Sequence, residues 1–368
     1  MKKTTQITFA SLLAIVPLVT ACSSDEEKYS PEPVSSNEIR FAANTESTRA
    51  GEITTNNLTS FNVYAYTTST GEPKLFMDNV AVTKSSNNTW TYSPLQYWPS
   101  NQSLDFYAFS PASWMGKANP LIPIAYDAYP GFEDIVYAYI PGLKGVAGQP
   151  NPQVTFNFRH ALSKISIKMS SSNQNLKVMV TNLSLANIKT KGNFNFPQES
   201  TSSPASATTV GKWTDQNSPY AYIIHMSQSE SERITLTSTP TVIVPDGMGT
   251  GTSASSLYLI PQPLPWISDG KDNDCYLLVM GSIYDAKTNT KLWPNEHTPA
   301  ENIVQGSTFG DGLIKFPLST SYFSEWSPGC HYIYNLVVNS QDEMGAIEFG
   351  NPTVESFIEV ETSYQKPT

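Results

Sequence analysis

One pattern recurs along most of this chain: apolar and polar residues alternate with a period of two, in short runs bounded by Gly, Pro and Asn. Ile39, Phe41 and Ala43 alternate with Glu38, Arg40 and Ala42, and Phe61, Val63 and Ala65 alternate with Asn62, Tyr64 and Tyr66. A period of two places successive side chains on opposite faces of a strand. Further strands are expected at 76–83, 89–92, 104–109, 135–140, 154–158, 164–169, 176–185 and 194–196, and in the second half at 220–225, 233–237, 241–244, 257–260, 276–284, 313–316, 331–338 and 354–360. No window of helical length carries a 3.6-residue period, and short helical turns are expected only at 111–114 and 320–326. The pattern confines the chain to an all-β fold, and the strand spacing predicts two antiparallel β-sandwich domains in series. The Ser/Thr/Ala-rich stretch 199–209 is either the linker between them or a long hairpin loop, which sets the domains at 50–198 and 210–368.

Composition narrows the function. Aromatic residues make up 11% and charged residues only 15%, so the chain has the apolar material for folded cores and is not a disordered polymer. A formal net charge of −10 argues against nucleic acid as a partner. At the N-terminus, Lys2 and Lys3 precede an apolar run, 7–19, too short for a stable membrane span, followed by Thr20, Ala21 and Cys22. This resembles a lipoprotein signal, which implies removal of residues 1–21, acylation of Cys22 and anchoring in a membrane. Residues 22–49 then read as a tether that ends in a strand, 38–43, and a polar loop carrying Arg49 and Ala50.

His160, His225, His297 and His331 stand at no ligand spacing from Cys or carboxylates, and there is no nucleophile elbow, phosphate loop or dinucleotide fingerprint. No enzyme, cofactor or metal is therefore expected. The acidic turn 269–274 lacks the spacing of a calcium loop. Cys275 and Cys330 are either a disulfide or two buried thiols. Trp114, Trp213, Trp266, Trp293 and Trp326 are either core residues or exposed platforms for sugars.

Four segments together carry a family resemblance. They are Phe61-Asn62-Val63-Tyr64-Ala65-Tyr66; Trp90 to Pro94 with Tyr97-Trp98-Pro99 and Leu104 to Pro111; Phe156-Asn157-Phe158-Arg159-His160-Ala161-Leu162-Ser163-Lys164-Ile165; and Trp326-Ser327-Pro328-Gly329-Cys330-His331-Tyr332-Ile333-Tyr334-Asn335. In order and spacing they resemble the fimbrillin family, the subunits of type V pili of Bacteroidales. The acidic residues Asp25, Glu26 and Glu27 either resemble the surface-export signal of Bacteroidota lipoproteins or form a solvated tether. The resemblance implies transthyretin-like sandwiches and a precursor lipidated at Cys22 and displayed on the outer membrane. It also implies that an Arg-specific surface protease clips the precursor and removes its first strand. A neighbouring subunit's strand then fills the groove, and the subunits polymerise into an adhesive fimbrium.

The residues supply parts for that scheme. Ile39 and Phe41 share the inward face of the removable strand, and Arg49 sits in a polar loop where proteases cut, so that Ala50 becomes the new N-terminus. The run carrying Val354, Ile358 and Val360 on one face is either a donor strand for a neighbour or the last strand of its own sandwich. The rival reading is a monomeric outer-membrane lipoprotein that binds glycans through exposed aromatics. The sequence identifies no surface receptor.

Overall fold

Alternating strands become two-faced strands, and in the first half of the chain both faces are buried. In β2 (Ser60–Thr67), Phe61, Val63 and Ala65 enter one core while Tyr64 and Tyr66 enter another. The same division runs through β5 (Ser103–Ser110) and β7 (Val136–Lys144), with Phe106 and Ala138 on one side and Tyr107 and Tyr137 on the other. The computed structural model describes residues 37–45, 53–54, 57–68, 71–116, 118–146, 151–245, 256–268, 270–321, 323–340, 347–348 and 353–356. Within them the chain is nearly all β, as the alternation predicts. Cys22, Arg49, Ala50, Ile358 and Val360 lie outside the described residues.

The first sheet contains β1 (Phe41–Thr45), β2, β3 (Lys74–Lys84), β4 (Trp90–Tyr92), β5, β7 and β8 (Val154–His160), in the order β1-β8-β7-β5-β2-β3-β4. A single short helix, α1 (Ala112–Met115), follows β5, as expected for 111–114. The other expected turn, 320–326, contains no helix among its described residues.

After β8 the chain changes sheets. β10 (Leu176–Asn195) is the hub of the second sheet. It pairs with β6 (Ile124–Asp127), β11 (Lys212–Met226), β12 (Ile234–Thr235) and β15 (Tyr276–Asp285). β16 (Lys291–Trp293) and β17 (Gly312–Pro317) extend this sheet from β15. The third sheet has β9 (Ser163–Ser171) beside β13 (Thr241–Ile243), β14 (Leu257–Leu259) and β18 (Cys330–Ser340); β19 (Ile347–Glu348) and β20 (Thr353–Ser356) pair with β18. The stretch 199–209 therefore joins β10 to β11, two partners in one antiparallel hairpin. The change of sheet falls instead at 161–162, so β9 and β10 pair with the second half. Pairing is not wholly antiparallel, since β1 runs parallel to β8 and β9 parallel to β18.

Three cores result. One lies within the first sheet around Phe61, Phe106 and Phe156, and one between the second and third sheets around Ile167, Leu183, Leu277 and Trp326. The third joins the Tyr-rich face of the first sheet to Phe194, Trp213, Tyr258 and Ile260. β10 and β15 approach so closely that a Cβ on Gly281 would stand 2.3 Å from the Met179 carbonyl oxygen. The buried Arg233 crosses the same region, 3.1 Å from the Asp311 carboxylate and hydrogen-bonded to Thr181 and Ser282.

Candidate functional site: the slot filled by the first strand

Residues 37–45 close the first sheet on itself. The C-terminal part of the segment is β1, paired parallel with β8 in a register that sets Phe41 against Val154 and Thr45 against Phe158. The N-terminal part crosses to the chain that follows β4, at the far end of the sheet order, where Glu38 bridges Tyr97. Backbone bonds mark both flanks: Ile39 N–H donates to the Gln96 carbonyl (2.9 Å), Trp98 N–H to Asn37 (2.8 Å) and Val154 N–H to Arg40 (2.8 Å). Side chains add more. The Tyr92 hydroxyl donates to the Ile39 carbonyl at 2.7 Å, Gln153 Nε2 to the Phe41 carbonyl at 3.2 Å, and Asn37 Nδ2 to the Trp98 carbonyl at 2.9 Å. Burial pushes the Tyr92 phenol above its ordinary pKa, which keeps it a neutral donor.

Alternation decides what enters the slot. Ile39 is 0% exposed and Phe41 3%, while Arg40 between them faces solvent. The Phe41 ring stacks on Phe156 at a centroid distance of 5.7 Å and meets Phe61 (6.3 Å), Tyr92 (5.1 Å) and Phe106 (6.2 Å) edge-on. Such pairs contribute about 0.5–1.5 kcal/mol each beyond area burial. Ala43, next on the inward face, packs against the same core. The slot thus accepts an aliphatic, an aromatic and a small side chain in alternate positions.

Downstream of 46–52, which lie outside the described residues, the chain is fixed again. Ile53 N–H donates to Asp134 Oδ2 at 2.9 Å, and this buried carboxylate also faces His160 Nδ1 at 3.0 Å, at the end of β8. Thr45 and Ile53, the described residues nearest Arg49 on either side, therefore both stand at the C-terminal end of β8. Arg159 donates to the Thr201 and Ser203 carbonyls, and Arg233 is buried, so both are engaged by the fold. The Asp134–His160 pair could not be read from the sequence, where the two lie 26 residues apart and no spacing signals their contact.

The remaining candidates resolve one by one. Cys275 and Cys330 are free thiols, the first buried and the second half-buried, so no disulfide joins them. Cys275 belongs to the lead into β15 and Cys330 opens β18, in different sheets. Trp114, Trp213 and Trp326 are buried, and Trp266 and Trp293 are half-buried. Trp114, Trp213 and Trp326 belong to the cores, Trp293 packs against one, and Trp266 meets Tyr276 edge-on, so none of the five is fully exposed. Asp274 in the acidic turn accepts the amides of Ile267, Ser268 and Gly270; burial alone would raise its pKa, and these bonds outweigh it and hold the carboxyl below its ordinary value. Its oxygens are thus occupied by backbone, and among the described residues no group of three His, Cys, Asp or Glu could hold a metal ion. Val354 lies in β20, where it pairs with Tyr332 of β18, which is the own-sandwich alternative for this part of the run.

Among solved structures, similarity extends to a protein assigned to cell adhesion from Bacteroides uniformis (14% identity, 87% of this chain and 97% of that one, TM-score 0.45). It extends also to the tip fimbrial protein Mfa3 (12%, 87% and 99%, TM-score 0.42) and the fimbrial anchor protein Mfa2 (9%, 87% and 98%, TM-score 0.34), both from Porphyromonas gingivalis. A comparison with curated proteins finds no match. A family model described as fimbrillin-like matches residues 48–356, most of the sequence, and on that match the chain belongs to the fimbrillin-like family.

Proposed function

We propose that this protein is a structural subunit of a cell-surface fimbrium, made as a precursor lipidated at Cys22 and clipped after Arg49, and polymerised when a neighbour's strand takes the place of residues 37–45. The observation that carries the reading is the seating of Ile39 and Phe41. They are buried in the first core, and in the sequence the segment that carries them is followed by Arg49 before the chain is fixed again at Ile53. Burying these two side chains contributes about 3–6 kcal/mol. The flanking backbone bonds add about 1 kcal/mol each. That total is comparable with the stability of a whole domain, about 5–15 kcal/mol. Once clipped, the strand is an exchangeable ligand. Its loss bares the β8 edge and an apolar groove, which another chain fills by β-augmentation. On this reading Val354, Ile358 and Val360 form the donor offered to the next subunit, and β20 leaves β18 to provide it. Adhesion is the output of the polymer, not of a catalytic site.

The test is to expose the purified precursor to an Arg-specific protease and compare heated with unheated denaturing gels. The expected result is one cut, after Arg49, with Arg159 and Arg233 spared because the fold engages them, followed by a ladder that survives only without heating. Cleavage elsewhere, or clipped chains that stay monomeric under assembly conditions, refutes the proposal.

A further inference from the structure

The slot vacated by residues 37–45 has a definite shape, and the shape selects its occupant. This inference rests on the strand-exchange reading and specifies the partner. On the inward face the slot takes Ile39, then Phe41, then Ala43, and the middle position is walled by the rings of Phe61, Tyr92, Phe106 and Phe156. An occupant must run parallel to β8 and present aliphatic, aromatic and small side chains at alternate positions. The chain's own candidate donor reads Val354-Glu355-Ser356-Phe357-Ile358-Glu359-Val360-Glu361-Thr362-Ser363-Tyr364. Setting Ile358 in the Ile39 position puts Val360 where the Phe41 ring belongs. That leaves a void among four aromatic rings. Setting Phe357 among the rings puts Glu355 in the Ile39 position, where a carboxylate would be buried without a cation. Setting Tyr364 there puts Thr362 in place of Ile39 and again buries a polar group in an apolar site.

We infer that the slot is built for a strand from a different kind of subunit, one carrying the pattern aliphatic-x-aromatic-x-small, and that it discriminates against the tail of a second copy of this chain. Electrostatics point the same way. The tail carries Glu355, Glu359 and Glu361, and the chain as a whole has a net charge of −10, so two copies of this chain repel as they approach.

The experiment uses the full chain clipped after Arg49. The bound first strand is labelled with a fluorophore, and its displacement is followed with three synthetic peptides: residues 36–46, residues 353–364, and residues 353–364 carrying V360F. The expected result is that peptide 353–364 competes at least roughly 30-fold more weakly than peptide 36–46, on the order of 2 kcal/mol, and that V360F recovers about tenfold of the deficit. Equal competition by peptides 36–46 and 353–364, or no gain from V360F, overturns the selectivity and leaves strand exchange standing. Failure of peptide 36–46 itself to displace the label overturns strand exchange and the selectivity with it.

Discussion

Truncating Phe41 to Ala tests the central physical claim, that a terminal segment completes the first core. The side chain is 3% exposed and its ring stands 5.1–6.3 Å from four aromatic rings on β2, β4, β5 and β8. Phe→Ala changes at buried positions cost about 3–5 kcal/mol, because the transfer energy is lost and a cavity remains. A packed set of rigid rings collapses poorly into the void, which places the expected loss in the upper half of that range. The strand as a whole is held by roughly 6–9 kcal/mol, from about 3–6 kcal/mol of burial and about 1 kcal/mol for each of the flanking backbone bonds. The truncation therefore weakens the docking without exhausting it. With an m-value of about 3 kcal/mol per molar urea, the midpoint of unfolding should fall by about 1.3–1.7 M. The assay is urea unfolding of the uncut chain, followed by tryptophan fluorescence, because Trp90 and Trp98 report on the same core. Arg40→Ala is the control, since that side chain faces solvent and should change stability by no more than about 0.5 kcal/mol. A midpoint for Phe41→Ala within about 0.2 M of the wild type would refute the reasoning, because it would mean the slot does not need its ring.

Two other consequences are accessible to standard methods. Burial pushes the Cys275 thiol up to about 11 and raises that of Cys330 as well. Since the thiolate is the reactive form and only about one Cys275 in a thousand is ionised at pH 8, alkylation is slow there and should speed up as pH rises toward that value. Peptide mapping should show both cysteines unlabelled in the native chain and fully labelled in denaturant without reductant; recovery of a linked Cys275–Cys330 peptide would contradict the free-thiol structure. Replacing Arg233 by Met should cost about 3–5 kcal/mol, because Asp311 is then left buried without its cation. Adding Asp311→Asn should return part of that loss in the same unfolding assay, and a double variant no more stable than the single one would argue against the pairing.

The local features of this protein were written in its alternation. The runs at 61–66, 104–109, 154–158 and 276–284 become β2, β5, β8 and β15 with ends displaced by a few residues, because period two is a property of the backbone and needs no partner. Elements without that signature were hidden. Residues 124–127 become a strand only because 191–194 of β10 offer a free edge, and the 199–209 stretch reads equally as a linker or a hairpin loop until its flanks are seen to hydrogen-bond to each other. The tryptophans show the same limit, since nothing in a sequence distinguishes an exposed ring from one that three sheets enclose.

At the candidate site the division is sharp. The sequence alone established that Ile39 and Phe41 share a face, that Arg40 takes the other, and that Arg49 follows in a polar stretch, since these follow from spacing and residue type. Tertiary structure decided that the strand runs parallel to β8, more than a hundred residues downstream, that its other flank rests on Gln96 and Trp98, and that four rings gather around Phe41. Strand pairing over such separations is set by which faces can be buried together, a property of the whole packed chain and not of any window within it.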